Sequence, residues 1–135
     1  QALRDVGFTK PFFGGQITQQ FIDVGGEAAE GTILHDTFLV SDPNPRVADF
    51  VAKYRKKFNT DPGFFQVSAY DALNLIVQAA KAGGATRDGV FKGLSGGKPF
   101  STVLLGDFTF NASRRPDDVP LKTIVVKGGK FVVGG

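Results

Sequence analysis

Residues 42–72 read DPNPRVADFVAKYRKKFNTDPGFFQVSAYDA and decide the fold, because they predict two helices separated by a turn. Asn44 can serve as the N-cap of the first helix, with Pro45 in the first helical position. Apolar side chains then recur at i, i+3, i+4, i+7 and i+11 and form one stripe: Val47, Phe50, Val51, Tyr54 and Phe58. The segment therefore begins with an amphipathic helix.

The second helix follows the turn Asp61-Pro62-Gly63 and is predicted from about residue 66 to residue 82. Gly83-Gly84 would end it. Its predicted apolar face comprises Ala69, Tyr70, Leu73, Ile76, Val77 and Ala80.

Upstream, helices and strands alternate. Gln1 to Gly7 reads as the end of a helix, and Phe12-Phe13 before Gly14-Gly15 reads as a short buried strand. Thr18 can cap a short helix that carries Phe21, Ile22 and Val24. The β-branched and aromatic run Thr32 to Val40 predicts a strand.

Downstream, Thr86 can cap a third helix with Val90, Phe91 and Leu94 on its apolar side. The alternating residues 108–110 predict a strand. Residues 123–127 and 130–133 predict a hairpin around Gly128-Gly129. This succession of elements predicts an α/β fold.

Composition limits the chemistry available to the chain. Its 135 residues are 41% apolar and 21% charged, as in ordinary globular proteins. With no cysteine, disulfides, thiol catalysis and thiolate metal sites are excluded. No apolar run reaches the length of a membrane span. Because the sequence holds no Met and starts with Gln1, we expect it to begin inside a longer precursor.

Charge does not indicate a nucleic-acid partner. The net charge is +3, with both signs mixed along the chain. The densest basic run, residues 53–57, includes Tyr54, which belongs to the apolar stripe rather than to a base-stacking surface. A solvated helix end explains this run.

Two motifs suggest catalysis but lack the required context. Gly93 to Gly97 matches G-x-S-x-G, yet a helix precedes Ser95 and Lys98-Pro99 follows it, whereas a nucleophile elbow needs a strand and then a helix. His35-Asp36 in a strand would point to opposite faces and make a poor ligand set. We therefore expect no enzymatic activity, no metal and no cofactor.

Four stretches resemble one known family, the type I periplasmic binding proteins of the leucine/isoleucine/valine-binding kind. They are residues 11–15 (PFFGG), residues 26–31 (GEAAEG, close to the family's G-D-A-A-E-G), residues 42–72 with their D-P and A-Y-D-A ends, and residues 106–133, with GDFTFN and the terminal hairpin. Their order and spacing over almost the whole chain carry the resemblance. The family is more than twice this length, so the match covers only its carboxy-terminal part.

The resemblance implies a two-lobed, three-layer α/β/α fold that is incomplete in this chain. Residues 1–40 and 121–135 would belong to lobe 2 and residues 41–120 to lobe 1. Each lobe would then lack part of its sheet and helices. We expect either a missing amino-terminal part of the same protein or a strand-exchanged homo-oligomer to complete them.

The resemblance also implies site residues. The family's second lobe places an acidic residue after a glycine-terminated strand, where it pairs with a ligand ammonium. Gln16 stands there and cannot form that ion pair. This departure favours an amide, a neutral polar molecule or a small carboxylic acid over a standard amino acid. Ile17 could add an apolar contact. In the alternative interpretation, Gln16 is a loop residue facing water.

Phe65 stands where the family has an aromatic wall at the start of its A-Y-D-A helix. The alternative is that Phe65 caps a core, which is the interpretation favoured for Phe64. The residues that grip a ligand's carboxylate in this family would lie upstream of Gln1.

The function implied is that of a periplasmic solute-binding component of an ABC transporter. It would capture an amino acid or a related small polar molecule between two lobes and deliver it to a membrane permease. The alternative is a stand-alone α/β sensor or protein-interaction module with no role in transport.

Overall fold

The computed structural model describes residues 2–14 and 17–134. Within them, a three-stranded antiparallel sheet has the order β1-β4-β5, and β2 pairs with β3 separately. The helices are α1 (Ala2–Asp5), α2 (Gln19–Gly25), α3 (Pro45–Phe58), α4 (Phe64–Gly83) and α5 (Arg87–Ser95). The strands are β1 (Ile33–Asp36), β2 (Phe100–Ser101), β3 (Asp107–Phe108), β4 (Lys122–Lys127) and β5 (Lys130–Val133).

Three helices begin where the sequence predicts a cap. Asn44 accepts a hydrogen bond from the backbone N–H of Arg46 at 3.0 Å. The hydroxyls of Thr18 and Thr86 do the same at the starts of α2 and α5, at 3.3 and 3.1 Å. Each bond pairs a backbone donor that the helix leaves free, so the predicted starts of these helices are confirmed.

The terminal hairpin is also confirmed. Gly128 and Gly129 have φ values of 58° and 67°, which two-residue turns between antiparallel strands require and glycine adopts without strain. The Glu30 carboxylate accepts hydrogen bonds from both of their N–H groups, at 3.0 and 2.6 Å. This contact ties the turn to the segment before β1.

The predicted strand over residues 32–40 is too long, since β1 ends at Asp36. The Asp36 carboxylate accepts hydrogen bonds from the N–H groups of Thr37 and Phe38, at 2.6 and 3.2 Å, and so turns the chain. The prediction of a buried strand at Phe12-Phe13 is wrong as well. Phe13 makes only an isolated parallel bridge to Ile33, and its side chain is 74% exposed.

Much of the predicted apolar face of α4 points away from the rest of the chain, although the Tyr70 ring packs against that of Phe50. Leu73, Ile76 and Val77 are exposed, whereas Val67, Asp71 and Ala79 are buried. Other parts of the chain occupy that buried side: Val67 packs in a cluster with Phe50 and Val51, Asp71 binds the loop after β2, and Ala79 packs against α5. A Cβ placed on Gly93 would lie 2.2 Å from the carbonyl oxygen of Ala79, so only glycine fits there. Helix α4 therefore leaves an apolar face exposed on the side opposite its contacts with the rest of the chain.

The core divides into two clusters. The sheet cluster contains Ile22, Ala29, Leu34 and Val126. The helix cluster contains Phe38, Val47, Phe50, Val51 and Val67. Leu34 and Phe38 belong to different clusters although only three residues separate them. The chain thus passes from one packing group to the other directly after β1, and it returns to the first group at β4.

Candidate functional site

Ile17 and Phe65, two of the three candidate ligand-binding residues, lie in different parts of the molecule. Ile17 is half-buried and packs against the sheet cluster. Phe65 stands in the first turn of α4, beside the helix cluster, and is 73% exposed. Gln16 lies outside the described residues. The structure does not bring Ile17 and Phe65 into one pocket within this chain.

Phe65 is available to contact another surface. Its ring meets the ring of Phe64 edge-on, with the centroids 5.7 Å apart, and Phe64 itself is 40% exposed. The interpretation of Phe64 as a core residue is therefore wrong for this chain, and Phe65 is not buried either. An aromatic pair that presents one open face gives an apolar platform for a small molecule or for a protein surface.

Among the clefts formed by the described residues, the two most prominent are open, and Ile17 and Phe65 line neither. One, of about 360 Å³, lies between β3 and residues 117–120 and carries three carboxylates, Asp107, Asp117 and Asp118. The other, of about 220 Å³, lies between α3, α4 and residues 101–103 and is lined by Arg46, Lys53 and Asp71 among others.

An Arg46–Asp107 ion pair lies between these clefts, because Asp107 lines the first and Arg46 lines the second. Two guanidinium nitrogens of Arg46 lie 2.9 and 2.8 Å from the two carboxylate oxygens of Asp107. Hydrogen bonding to Arg46, with help from Ser101, lowers the pKa of the Asp107 carboxyl below its ordinary value of 3.8. The pair is exposed, so it orients α3 against β3 more than it stabilises the fold.

A second, less exposed ion pair lies where the chain runs between the two packing groups. Lys122 Nζ, at the start of β4, lies 2.9 Å from Asp42 Oδ2 and donates a hydrogen bond to the Thr37 carbonyl at 3.1 Å. The exposed fractions of the two side chains are 24% for Lys122 and 6% for Asp42. Sequence reasoning missed this pair because its members are 80 positions apart, and no local pattern reports such a contact.

Asp71, in the A-Y-D-A stretch, has a structural role that the sequence alone did not reveal. Its carboxylate is nearly buried and accepts hydrogen bonds from the N–H groups of Val103 and Leu104, at about 2.9 Å each. The loop after β2 is thereby fixed against α4.

The catalytic motifs have structural explanations. Ser95 is the last residue of α5, with a helix rather than a strand before it, so the nucleophile-elbow context is absent there. His35 is an exposed residue of β1 opposite Thr123. Among the described residues, no group of three or more acidic or histidine side chains is placed to hold a metal ion. None of the described helices is long and apolar enough to cross a membrane.

Comparison with known proteins identifies relatives over nearly the whole chain. The sequence profile of the periplasmic binding protein family matches residues 1–129. A Rhodospirillum rubrum protein assigned to branched-chain amino acid ABC transporters is 30% identical, with a TM-score of 0.80 over 98% of this chain. The Streptococcus pneumoniae branched-chain amino acid transporter substrate binding protein LivJ, solved with isoleucine, is 26% identical, with a TM-score of 0.79 over 98% of the chain.

A third solved structure extends the range of ligands seen with this fold. An ABC transporter solute binding protein of Rhodopseudomonas palustris, in complex with benzoate, is 22% identical, with a TM-score of 0.75 over 99% of this chain. No curated protein matches the sequence.

The chain spans 39%, 40% and 37% of the lengths of these three structures, respectively. It is thus α/β and incomplete with respect to a two-lobed fold. The expectation drawn from the four sequence stretches is confirmed: the chain belongs to the periplasmic binding protein family.

Proposed function

We propose that the chain forms part of an extracytoplasmic, periplasmic solute-binding component of an ABC transporter, which captures a small polar molecule between two lobes and delivers it to a permease. The observation that supports this most is the division of the described residues into two packing groups, between which the chain passes after β1 and again before β4. Two groups with narrow connections can change their relative angle, and a ligand held between them stabilises the closed arrangement.

In this proposal, the sheet cluster with residues 1–40 and 121–135 belongs to lobe 2, and the helix cluster with residues 41–120 belongs to lobe 1. Gln16 and Ile17 would face the ligand from lobe 2, and Phe65 from lobe 1. The separation of Ile17, against the sheet cluster, from Phe65, exposed on α4, suits a site that forms only between lobes.

The ligand is an amino acid, an amide or a small carboxylic acid. Relatives were solved with isoleucine and with benzoate, so this fold accommodates both a zwitterion and a plain carboxylate. Gln16 lacks the charge that would pair with an ammonium group, which favours an amide or a carboxylic acid for this protein.

The outward face of α4 points to a further part of the assembly. An apolar helix face is typically buried against another element, yet Leu73 and Ile76 are 63% and 51% exposed. We propose that an amino-terminal part of the same protein covers this face and completes lobe 1. The alternative is that a strand-exchanged second copy, or the partner of an interaction module, covers this face.

The test is the melting temperature of the protein with L-isoleucine, L-glutamine and benzoate, each at increasing concentration. A ligand at 100 times its Kd stabilises the native state by about 2.7 kcal/mol. We expect glutamine or benzoate to raise the melting temperature more than isoleucine does. The variant Gln16→Glu should reverse this order, because a carboxylate at residue 16 can pair with an ammonium group.

Phe65→Ala should weaken binding of the stabilising compound roughly tenfold, since partial burial of a phenyl ring contributes on the order of 1.5 kcal/mol. Phe91→Ala is the matched control, because Phe91 is also exposed, at 55%, but lies on α5. If no compound changes the melting temperature and the protein is a stable homodimer, the interaction-module alternative is correct instead.

A further inference from the structure

The Lys122–Asp42 contact lies where the two packing groups meet. Lys122 begins β4 and is the antiparallel partner of Asp36, the last residue of β1. Asp42 lies two residues before the Asn44 cap of α3, in the helix group. Their ion pair therefore joins the end of the sheet to the start of the helices.

Each partner is held by a second bond of its own. Asp42 Oδ1 accepts a hydrogen bond from the Asn44 N–H at 2.8 Å, which leaves Oδ2 to face Lys122. Lys122 Nζ also binds the carbonyl oxygen of Thr37, directly after the turn that ends β1. The ammonium group thus contacts both ends of the segment 37–42, which carries the chain from one packing group to the other.

Because it is more buried, this ion pair should matter more to the local structure than the exposed pairs do. The Asp42 side chain is 6% exposed, whereas both members of the Lys53–Asp49 pair are more than 60% exposed. Removing one partner of a nearly buried pair leaves the other charge without compensation, so the surrounding backbone must move to let water reach it. Here the backbone that would move is the connection between the groups.

We propose that Lys122 is a positioning residue that sets the angle between the sheet group and the helix group, acting through Asp42 and the Thr37 carbonyl. The importance of this angle for ligand capture rests on the proposed function, because lobes that close on a ligand must meet at a defined angle. The angle itself can be measured without any ligand.

The chain contains no cysteine, so paired labels can be introduced cleanly. Lys56→Cys on α3 and Lys127→Cys on β4 place spin labels at exposed positions of the two groups. Double electron–electron resonance then gives the distribution of distances between the two spin labels. With Lys122→Met we expect a displaced mean and a broader distribution, and Lys122→Arg should restore the parent distribution.

Lys53→Met is the matched control. It also breaks a lysine–aspartate pair, but one that lies wholly within α3, so the distance distribution should stay that of the parent. If Lys122→Met does not fold, Asp42→Asn decides the question, because the amide keeps an acceptor for the Asn44 N–H and removes the charge facing Lys122.

A parent-like distribution in Lys122→Met, with only a lower melting temperature, would overturn the proposal and leave the pair a purely structural role. This result is distinguishable from failure of the proposed function. If the proposed function is wrong, no ligand shifts the melting temperature, whatever the distance distribution shows.

Discussion

Single carboxylates fix much of the local structure, each through backbone N–H groups that would otherwise lack partners. Asp36 ends β1, Asp42 precedes the cap of α3, Glu30 holds the hairpin turn and Asp71 holds the loop after β2. Sequence patterns reveal such contacts only when donor and acceptor are close in sequence, as at Asn44. Asp71 and Val103 are 32 residues apart, so that contact could not be foreseen.

Asp71→Ala should lower the free energy of unfolding by about 1.5–3 kcal/mol, because it leaves two backbone N–H groups without their charged acceptor. Urea denaturation of the variant measures this loss. Asp49→Ala, at an exposed position of α3, serves as the control and should change stability by less than about 0.5 kcal/mol. Equal losses in the two variants would contradict the role assigned to Asp71.

The Arg46–Asp107 pair predicts a pH dependence. The folded-state pKa of Asp107 is lowered by Arg46, so its contribution to stability is present above the ordinary value of 3.8 and is lost as the pH falls through the lower folded pKa. Asp107→Asn should therefore be less stable than the parent at neutral pH, and the difference should disappear in strong acid. A difference that stays constant with pH would show that the ion pair contributes nothing.

At the scale of elements, helix starts and the hairpin were predictable because caps and turns are local. The end of β1 was missed although its cause, the Asp36 carboxylate, is local. The short strand β2 was missed because it pairs with β3 and is held by hydrogen bonds between Ser101 and Gln78 of α4. The apolar faces of α3 and α4 illustrate the difference between what local patterns predict and what packing between elements decides. The α3 stripe is buried at Val47, Phe50 and Val51, whereas the predicted face of α4 is turned outward because the helix cluster, the loop after β2 and α5 occupy the opposite side.

The outward face of α4 gives a prediction at this scale. If a further part of the protein covers it, Ile76→Glu places a charge in an apolar interface and should destabilise the whole protein by more than about 2 kcal/mol. Lys81→Glu introduces the same side chain on the same helix, at an exposed polar position, and should have a small effect. Thermal unfolding compares the two, and identical curves would mean that the face is open to water.

For the whole molecule, the family and the incomplete two-lobed fold followed from the order of four short stretches, none of which is specific alone. The binding site did not follow in the same way. Of its candidate residues, Ile17 packs against the sheet cluster whereas Phe65 is exposed in the first turn of α4, and the described part of the chain does not bring the two together. A site between lobes is a property of the assembled protein, so local patterns can name its candidate residues but not their geometry.

Small-angle X-ray scattering of the protein, with and without the compound that most raises its melting temperature, tests the central claim most directly. The account predicts a smaller radius of gyration at saturating ligand, because the two lobes close around the bound molecule. Identical scattering curves with and without saturating ligand would contradict capture between lobes.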